Sequence, residues 1–204
     1  MGLTGSAGEG RIGRVTISNG TTTVFAPSIS LSGQGIRLRE WTDADLPAMA
    51  GLFEDPQIDR WTPIRSPFTA EDARAYLTRA REGRAAGTRI HLAVTDDGGD
   101  GAAQGEILLF RAGPHDPDAE LGYTIGAPYR RRGLAVRAVR LMTDYAYGTL
   151  GMSRVLLRIA PENGASAAVA RAAGFDLTGD PPVHRDRDGS PVALLTWCHR
   201  RENA

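Results

Sequence analysis

Between Ile125 and Ala135 the side-chain period changes from two to about 3.6 within a few residues, and this junction constrains the fold more than any other stretch. Upstream, Ala119, Leu121, Tyr123 and Ile125 alternate with Glu120, Gly122 and Thr124, the pattern of a strand with one face buried. Downstream, Leu134, Ala138, Leu141, Met142 and Tyr145 form one stripe with Arg137, Arg140 and Asp144 opposite. That is an amphipathic helix from Gly133 to about Thr149. The connection reads Ile-Gly-Ala-Pro-Tyr-Arg-Arg-Arg-Gly-Leu-Ala. A helix start exposes unpaired N–H groups and the positive end of the helix dipole, so three arginines and a glycine there suit an anion. Gly133 lets a ligand approach the backbone, and Arg130, Arg131 and Arg132 offer charge-assisted contacts to phosphate. A basic loop leading into an ordinary surface helix has the same letters, so the cluster alone decides nothing.

The 204 residues suffice for one sizeable domain with an appendage. The formal net charge is zero, which gives no support to a general nucleic-acid or membrane-surface binder, so any anion site is local. All basic residues are arginine. One cysteine, Cys198, excludes an intrachain disulfide and fits a reducing compartment; its place in an apolar strand reads as a small buried hydrophobe. No apolar run approaches the roughly 18 residues of a membrane span, and no secretory leader is legible. The expected location is the cytoplasm.

Residues 1–35 form a Gly-rich extension, in which two β-prone runs flank Asn19-Gly20 between Val15 and Phe25, a hairpin signal. Residues 36–204 form the domain. Ile36 to Arg39 reads as a first strand, Thr42 with Asp45 as a helix start running to about Phe53, and the proline-punctuated Asp55 to Pro67 as irregular. Thr69 caps a second helix with Ala73, Tyr76, Leu77 and Ala80 inward. Strands follow at Arg89 to Thr95, Gln104 to Arg111 and Ala119 to Ile125, then the long helix and a short strand, Val155 to Ile159. Asn163 caps a fourth helix closing at Gly174, and two strands end the chain, the last at Val192 to Cys198. The fold class is α+β, a mixed sheet flanked by about four helices, with an N-terminal β-hairpin extension.

Arg130, Gly133 and Ala135 occupy the fixed positions of the motif Arg/Gln, two residues, Gly, one residue, Gly/Ala, on the strand-to-helix junction. Downstream, Asn163-Gly164-Ala165-Ser166 is followed by Ala172-Ala173-Gly174-Phe175. Two such blocks in this order resemble the GNAT superfamily of acyl-CoA-dependent N-acetyltransferases, over about residues 36 to 200. Glu120-Leu121-Gly122-Tyr123, with Asn163 and Ser166, resembles the branch that acetylates the N-termini of ribosomal proteins.

The resemblance implies a mostly antiparallel sheet splayed at a bulge, acetyl-CoA as co-substrate, no metal, and direct transfer to a primary amine on a peptide or a small molecule. It implies that Arg130 to Ala135, Leu134 included, hold the pyrophosphate. The Ile125 N–H would polarise the thioester carbonyl, and backbone near Ala127 would meet the pantetheine arm. Glu120, on the polar face of the same strand, is the leading general base, with an ion pair to an arginine as the competing role; Glu106 is second, His91 and His115 weaker. Many members carry a tyrosine four residues before the Gly-Phe glycine, where this chain has Ala170. Ser166 is then the candidate proton donor, with bonding to its own backbone or the cofactor equally open. Asn163 caps the helix or touches pantetheine. Trp61 and Phe68 would wall the acceptor, or simply pack. Relatives are often homodimers. The Ala170 departure keeps a non-catalytic acyl-CoA-binding scaffold or sensor as the alternative.

Overall fold

The computed structural model describes residues 25–26, 28–98, 101–113, 115–187 and 189–201. The hairpin expected between Val15 and Phe25 lies, apart from Phe25, outside the described residues. The strands, in chain order, are β1 (Ser30–Gly33), β2 (Ile36–Glu40), β3 (Arg89–Asp96), β4 (Gly105–Phe110), β5 (Asp118–Ile125), β6 (Arg154–Ile159), β7 (Asp176–Leu177), β8 (Val183–Arg187) and β9 (Ser190–Arg200). The helices are α1 (Leu46–Phe53), α2 (Pro56–Trp61), α3 (Ala70–Ala85), α4 (Leu134–Gly148) and α5 (Gly164–Ala172).

The sheet runs β1-β2-β3-β4-β5-β6-β9-β7, with β8 hydrogen-bonded to β9 alone. Every neighbouring pair is antiparallel except β5 and β6. That one parallel pair is the crossover through α4, as a strand-helix-strand unit requires. The fold is thus mixed α+β, mostly antiparallel, as the element order implied.

Each sheet face carries its own core. On one, Leu134, Ala138, Val139, Met142 and Ala146 of α4 bury against Ala119 and Leu121 of β5 and against Leu38, Leu92, Ile107 and Leu157. On the other, α1, α2 and α3 pack Met49, Phe53, Ile58, Ala73 and Leu77 with Phe68 and Trp41 over Ala93.

Three elements were not legible in the sequence: β1, α2 and the two-residue β7, since two strands were expected after the fourth helix and three are present. Residues 30–33 add the edge strand β1, joined to β2 by Gln34 and Gly35, both left-handed (φ 56° and 72°), the two-residue turn that matches strand twist. The segment expected to be irregular contains α2. Pro56 is its first residue, where the missing N–H costs nothing, and the Asp55 carboxylate accepts from Gln57 N at 2.7 Å. The proline marked a start rather than a break. At the expected start near Thr42, a single 3-10 turn over Asp43–Asp45 precedes α1, closed by a capping box between Thr42 and Asp45.

Candidate active site

β5 and β6 pair from Asp118 and Arg154 as far as Leu121 and Leu157, and there the ladder stops. β5 continues to Ile125 and β6 to Ile159, so the two strands part. β4 stays in regular register with β5 through Glu106–Thr124 to Gly105–Ile125. The opening therefore lies on the β6 side; the resemblance implied a splay at a bulge, and no bulge interrupts the β4 register. Backbone groups alternate sides along a strand. Gly126 N–H donates to Gln104 O at 2.9 Å on the β4 side, so the N–H and C=O of Tyr123 and Ile125 face the opening. Arg130 Nε donates to Ile125 O at 2.9 Å, which fixes the orientation of this peptide.

The mouth of the opening is the start of α4. Gly133, its N-cap, is left-handed with φ 72°, and Arg131 is left-handed with φ 61°. Arg132, between them, is not. Such alternation gathers successive N–H groups into an anion-binding hollow, extended by the free N–H groups of the first turn of α4. The Leu134 side chain is buried in the core, so its backbone alone is available there. The three arginines have separate roles. Arg130 ties Ile125 O to Asp55 (2.7 Å), Arg132 lies over the Tyr129 ring (5.7 Å), and Arg131 is exposed and makes no ion pair among the described residues.

Across the opening stands α5. Asn163 Oδ1 accepts from Ser166 N at 3.0 Å, so the expected cap is present. The Ser166 hydroxyl and the Tyr123 hydroxyl are 2.7 Å apart. Burial pushes the Tyr123 hydroxyl up to about 12, with the Ser166 hydrogen bond opposing the shift. Tyr123 therefore stays protonated through the neutral range. Ala170 is fully buried, so that position contributes packing and no hydroxyl.

The opposite sheet face presents Glu106, Leu108 and Phe110 of β4 beside Glu120, Gly122 and Thr124 of β5. Glu106 is fully buried. It accepts from Trp41 Nε1 at 2.9 Å and from the Tyr76 hydroxyl at 2.6 Å, and His91 Nδ1 lies 3.5 Å away. Burial first, then the Glu106 charge, holds the Tyr76 hydroxyl well above its ordinary range; Arg79 and Arg89 act in the opposite direction. Neither His91 nitrogen has a hydrogen-bond partner, and neither has Thr124 Oγ1, although all three are buried. Glu120 is differently placed: Arg185 Nη2 meets both its oxygens at 2.6 and 2.7 Å, and Arg158 lies 3.8 Å away. The arrangement is the ion pair weighed against a base role. Phe68 packs on Phe53 at 5.2 Å, and Trp61 supports the Arg60 guanidinium at 4.5 Å.

One cavity of about 1600 Å³ runs from the α4 mouth through the opening to His91. Every residue singled out from the sequence for cofactor, acceptor or chemistry lines it, except Arg132 and the loop residue His115. Tyr123, Tyr76, Thr124 and Trp41 were not singled out. Tyr123 shares the apolar stripe of Ile125, so periodicity reads it as core, and the donors to Glu106 come from β2's end and α3, far away in sequence. Among the described residues no three His, Cys, Asp or Glu side chains cluster as metal ligands, and no helix is long and apolar enough to cross a membrane.

Comparison with known proteins agrees with this geometry. The model of the Acetyltransferase (GNAT) domain matches residues 36–176. The uncharacterized N-acetyltransferase p20 of Bacillus licheniformis is 26% identical over 149 residues, 71% of this chain and 79% of that protein. The structure of RimL, a ribosomal L7/L12 alpha-N-protein acetyltransferase in complex with coenzyme A, shares the fold with a TM-score of 0.72 at 18% identity, over 84% of this chain and 98% of that one. That of the microcin C7 self immunity acetyltransferase MccE, in complex with acetyl-CoA and AMP, gives 0.72 at 16% identity, over 83% and 94%. With its central domain matched by the family and its sheet parted above a glycine-capped helix, the chain belongs to the GNAT acetyltransferases and is an N-acetyltransferase.

Proposed function

We propose that this enzyme transfers acetyl from acetyl-CoA directly to a primary amine seated on Glu106, and that it works in the cytoplasm. The observation that carries the reading is the parting of β5 from β6, which turns the Ile125 peptide toward a helix mouth built for phosphate. Acetyl-CoA fits: Arg131 and the amides from Arg131 to Ala135 would hold its pyrophosphate, and Ala127 and Asn163 would flank the pantetheine arm. When bound it supplies the acyl thioester.

The protein's own contributions follow. Ile125 N–H donates to the oxygen on which charge develops, and Arg130 anchors the next peptide through Ile125 O. The amine must be neutral to attack, and an α-amine near 8 reaches that state more readily than a lysine-like amine near 10.4. Glu106, held by the Trp41 indole N–H and the Tyr76 hydroxyl, faces the amine and accepts its proton. Glu120, clasped by Arg185 and Arg158, shapes the wall instead. The Tyr123–Ser166 pair offers an O–H to the leaving sulfur, the service that Ala170 cannot give. This pair also weighs against the scaffold reading, whose support was the absence of a tyrosine at that position.

The experiment is a pair of isosteric changes. Glu106→Gln is expected to lower kcat/KM by about 100-fold or more, the usual range for loss of a general base. Glu120→Gln is expected to stay within a fewfold of wild type across pH. The opposite ranking would return the base role to Glu120.

A further inference from the structure

The cavity has two ends of opposite character on its acceptor side. At the floor stand a buried carboxylate, Glu106, and two polar groups that make no hydrogen bond. The His91 side chain is 7% exposed and neither of its nitrogens makes a hydrogen bond, Nδ1 lying 3.5 Å from Glu106; Thr124 Oγ1, across the ladder from Glu106, makes none either. Buried polar atoms without partners are rare in native structures, and a ligand that supplies N–H groups removes their cost.

At the rim, arginines outnumber carboxylates along the lining. Most are committed. Arg130 is tied to Asp55, Arg158 and Arg185 to Glu120, and Arg65 and Arg187 to Asp59. Besides Arg131 at the α4 mouth, Arg60, Arg79 and Arg89 remain, all exposed and none in an ion pair among the described residues. Asp72, on the same lining, is taken up by the α3 cap at Thr69. Rings rather than carboxylates support two of the three: Arg60 lies over Trp61 at 4.5 Å and Arg89 over Phe110 at 5.6 Å. A guanidinium stacked on a ring keeps its in-plane donors free for a planar or tetrahedral anion. Phe110 rests on His91 at 6.2 Å, and His91 on Tyr76 at 5.3 Å. Arg79 and Arg89 both act electrostatically on the Tyr76 hydroxyl, the donor to Glu106. The two ends are therefore neighbours.

We infer that the acceptor is an amine that also carries an anionic group: its amino end meets Glu106, His91 and Thr124, and its carboxylate or phosphate meets Arg79 and Arg89. The inference rests on the acetyl transfer proposed above and names its substrate class. A polycation would bring positive charge to the arginine rim, and a neutral amine would leave the rim unused.

Matched acceptors test it. β-Alanine against β-alaninamide and O-phosphoethanolamine against ethanolamine differ in the anion, and spermidine provides the cationic arm. With thiol release from acetyl-CoA as the readout, the anionic member of a pair is expected to show at least about tenfold higher kcat/KM, once corrected for the neutral-amine fraction. The pair with the larger preference tells carboxylate from phosphate. In the double variant Arg79→Gln, Arg89→Gln, the ratio of KM for the anionic acceptor to KM for its neutral partner is expected to rise about tenfold, and Lys at both positions is expected to recover part of it. Equal or better turnover of the neutral or cationic acceptors, or an unmoved KM ratio in the double variant, would overturn this inference and leave the transferase reading standing. Coenzyme A that raises the melting temperature while no amine is acetylated would remove the transferase reading first, and this inference with it.

Discussion

Two carboxylates on one sheet face, Glu106 and Glu120, show how position alone separates chemical roles. Both project from paired strands into one cavity, yet Glu120 meets two guanidinium groups and Glu106 meets an indole N–H, a phenol and a histidine. The first is paired with cations in place; the second, buried among two neutral donors and an imidazole, is left to meet the acceptor. A similar division holds for hydroxyls. Ser166 was visible as an inward-facing helix residue, but its partner Tyr123 was hidden in an apolar stripe, because periodicity cannot tell a tyrosine in the core from one whose tip reaches a cleft. If the 2.7 Å pair acts as a unit, Tyr123→Phe and Ser166→Ala each lower kcat by about tenfold, and the double variant loses little more than either alone. Steady-state kinetics of the four proteins measures this coupling; independent, multiplying losses would assign the two hydroxyls separate roles.

At the scale of elements, helix starts carry most of the organisation. α4 begins on a left-handed glycine that opens its amides, α5 on Asn163, α3 on a Thr69–Asp72 box, and α2 on Asp55 with Pro56. Three of these were readable because their signals are local. The fourth was not, since the prolines around it signal breaks as strongly as starts. The Thr42–Asp45 box also anchors a helix to the sheet, because Asp45 accepts from both Arg39 nitrogens at 2.7 and 2.8 Å and so pins α1 to β2. Burial raises the Asp45 pKa, but the hydrogen bonds from Arg39 and Thr42 outweigh it, and the net shift is downward. A carboxyl lowered in the folded state stabilises above its unfolded value near 3.9 and ceases to do so as pH falls through its folded value. Asp45→Asn is therefore expected to cost about 2 kcal/mol at pH 7, with the difference from wild type shrinking below about pH 4. Urea melts at stepped pH measure it; a gap that stays constant into the acid range would remove the charge from the explanation.

At the scale of the molecule, much of the design was legible. The period switch at Ile125 to Ala135 and the two motif blocks implied a mixed sheet and a long amphipathic helix directly after the junction, and the structure has both. The assembly of the acceptor side was not legible. It brings Trp41, Tyr76, His91, Glu106 and Thr124 together from β2's end, α3, β3, β4 and β5, and no spacing in the chain encodes contacts that depend on strand order and register. The same limit applies to the β8–β9 hairpin, whose Arg185 and Arg187 reach across the cavity to Glu120 and Asp59. Direct transfer within this parted sheet is tested by mass spectrometry of the protein and small molecules after incubation with acetyl-CoA, with and without an amine acceptor. Direct transfer leaves the protein unmodified without amine, and gives equal amounts of free coenzyme A and acetylated amine when amine is added. A stoichiometric acetyl adduct on the protein that amine then discharges would contradict it.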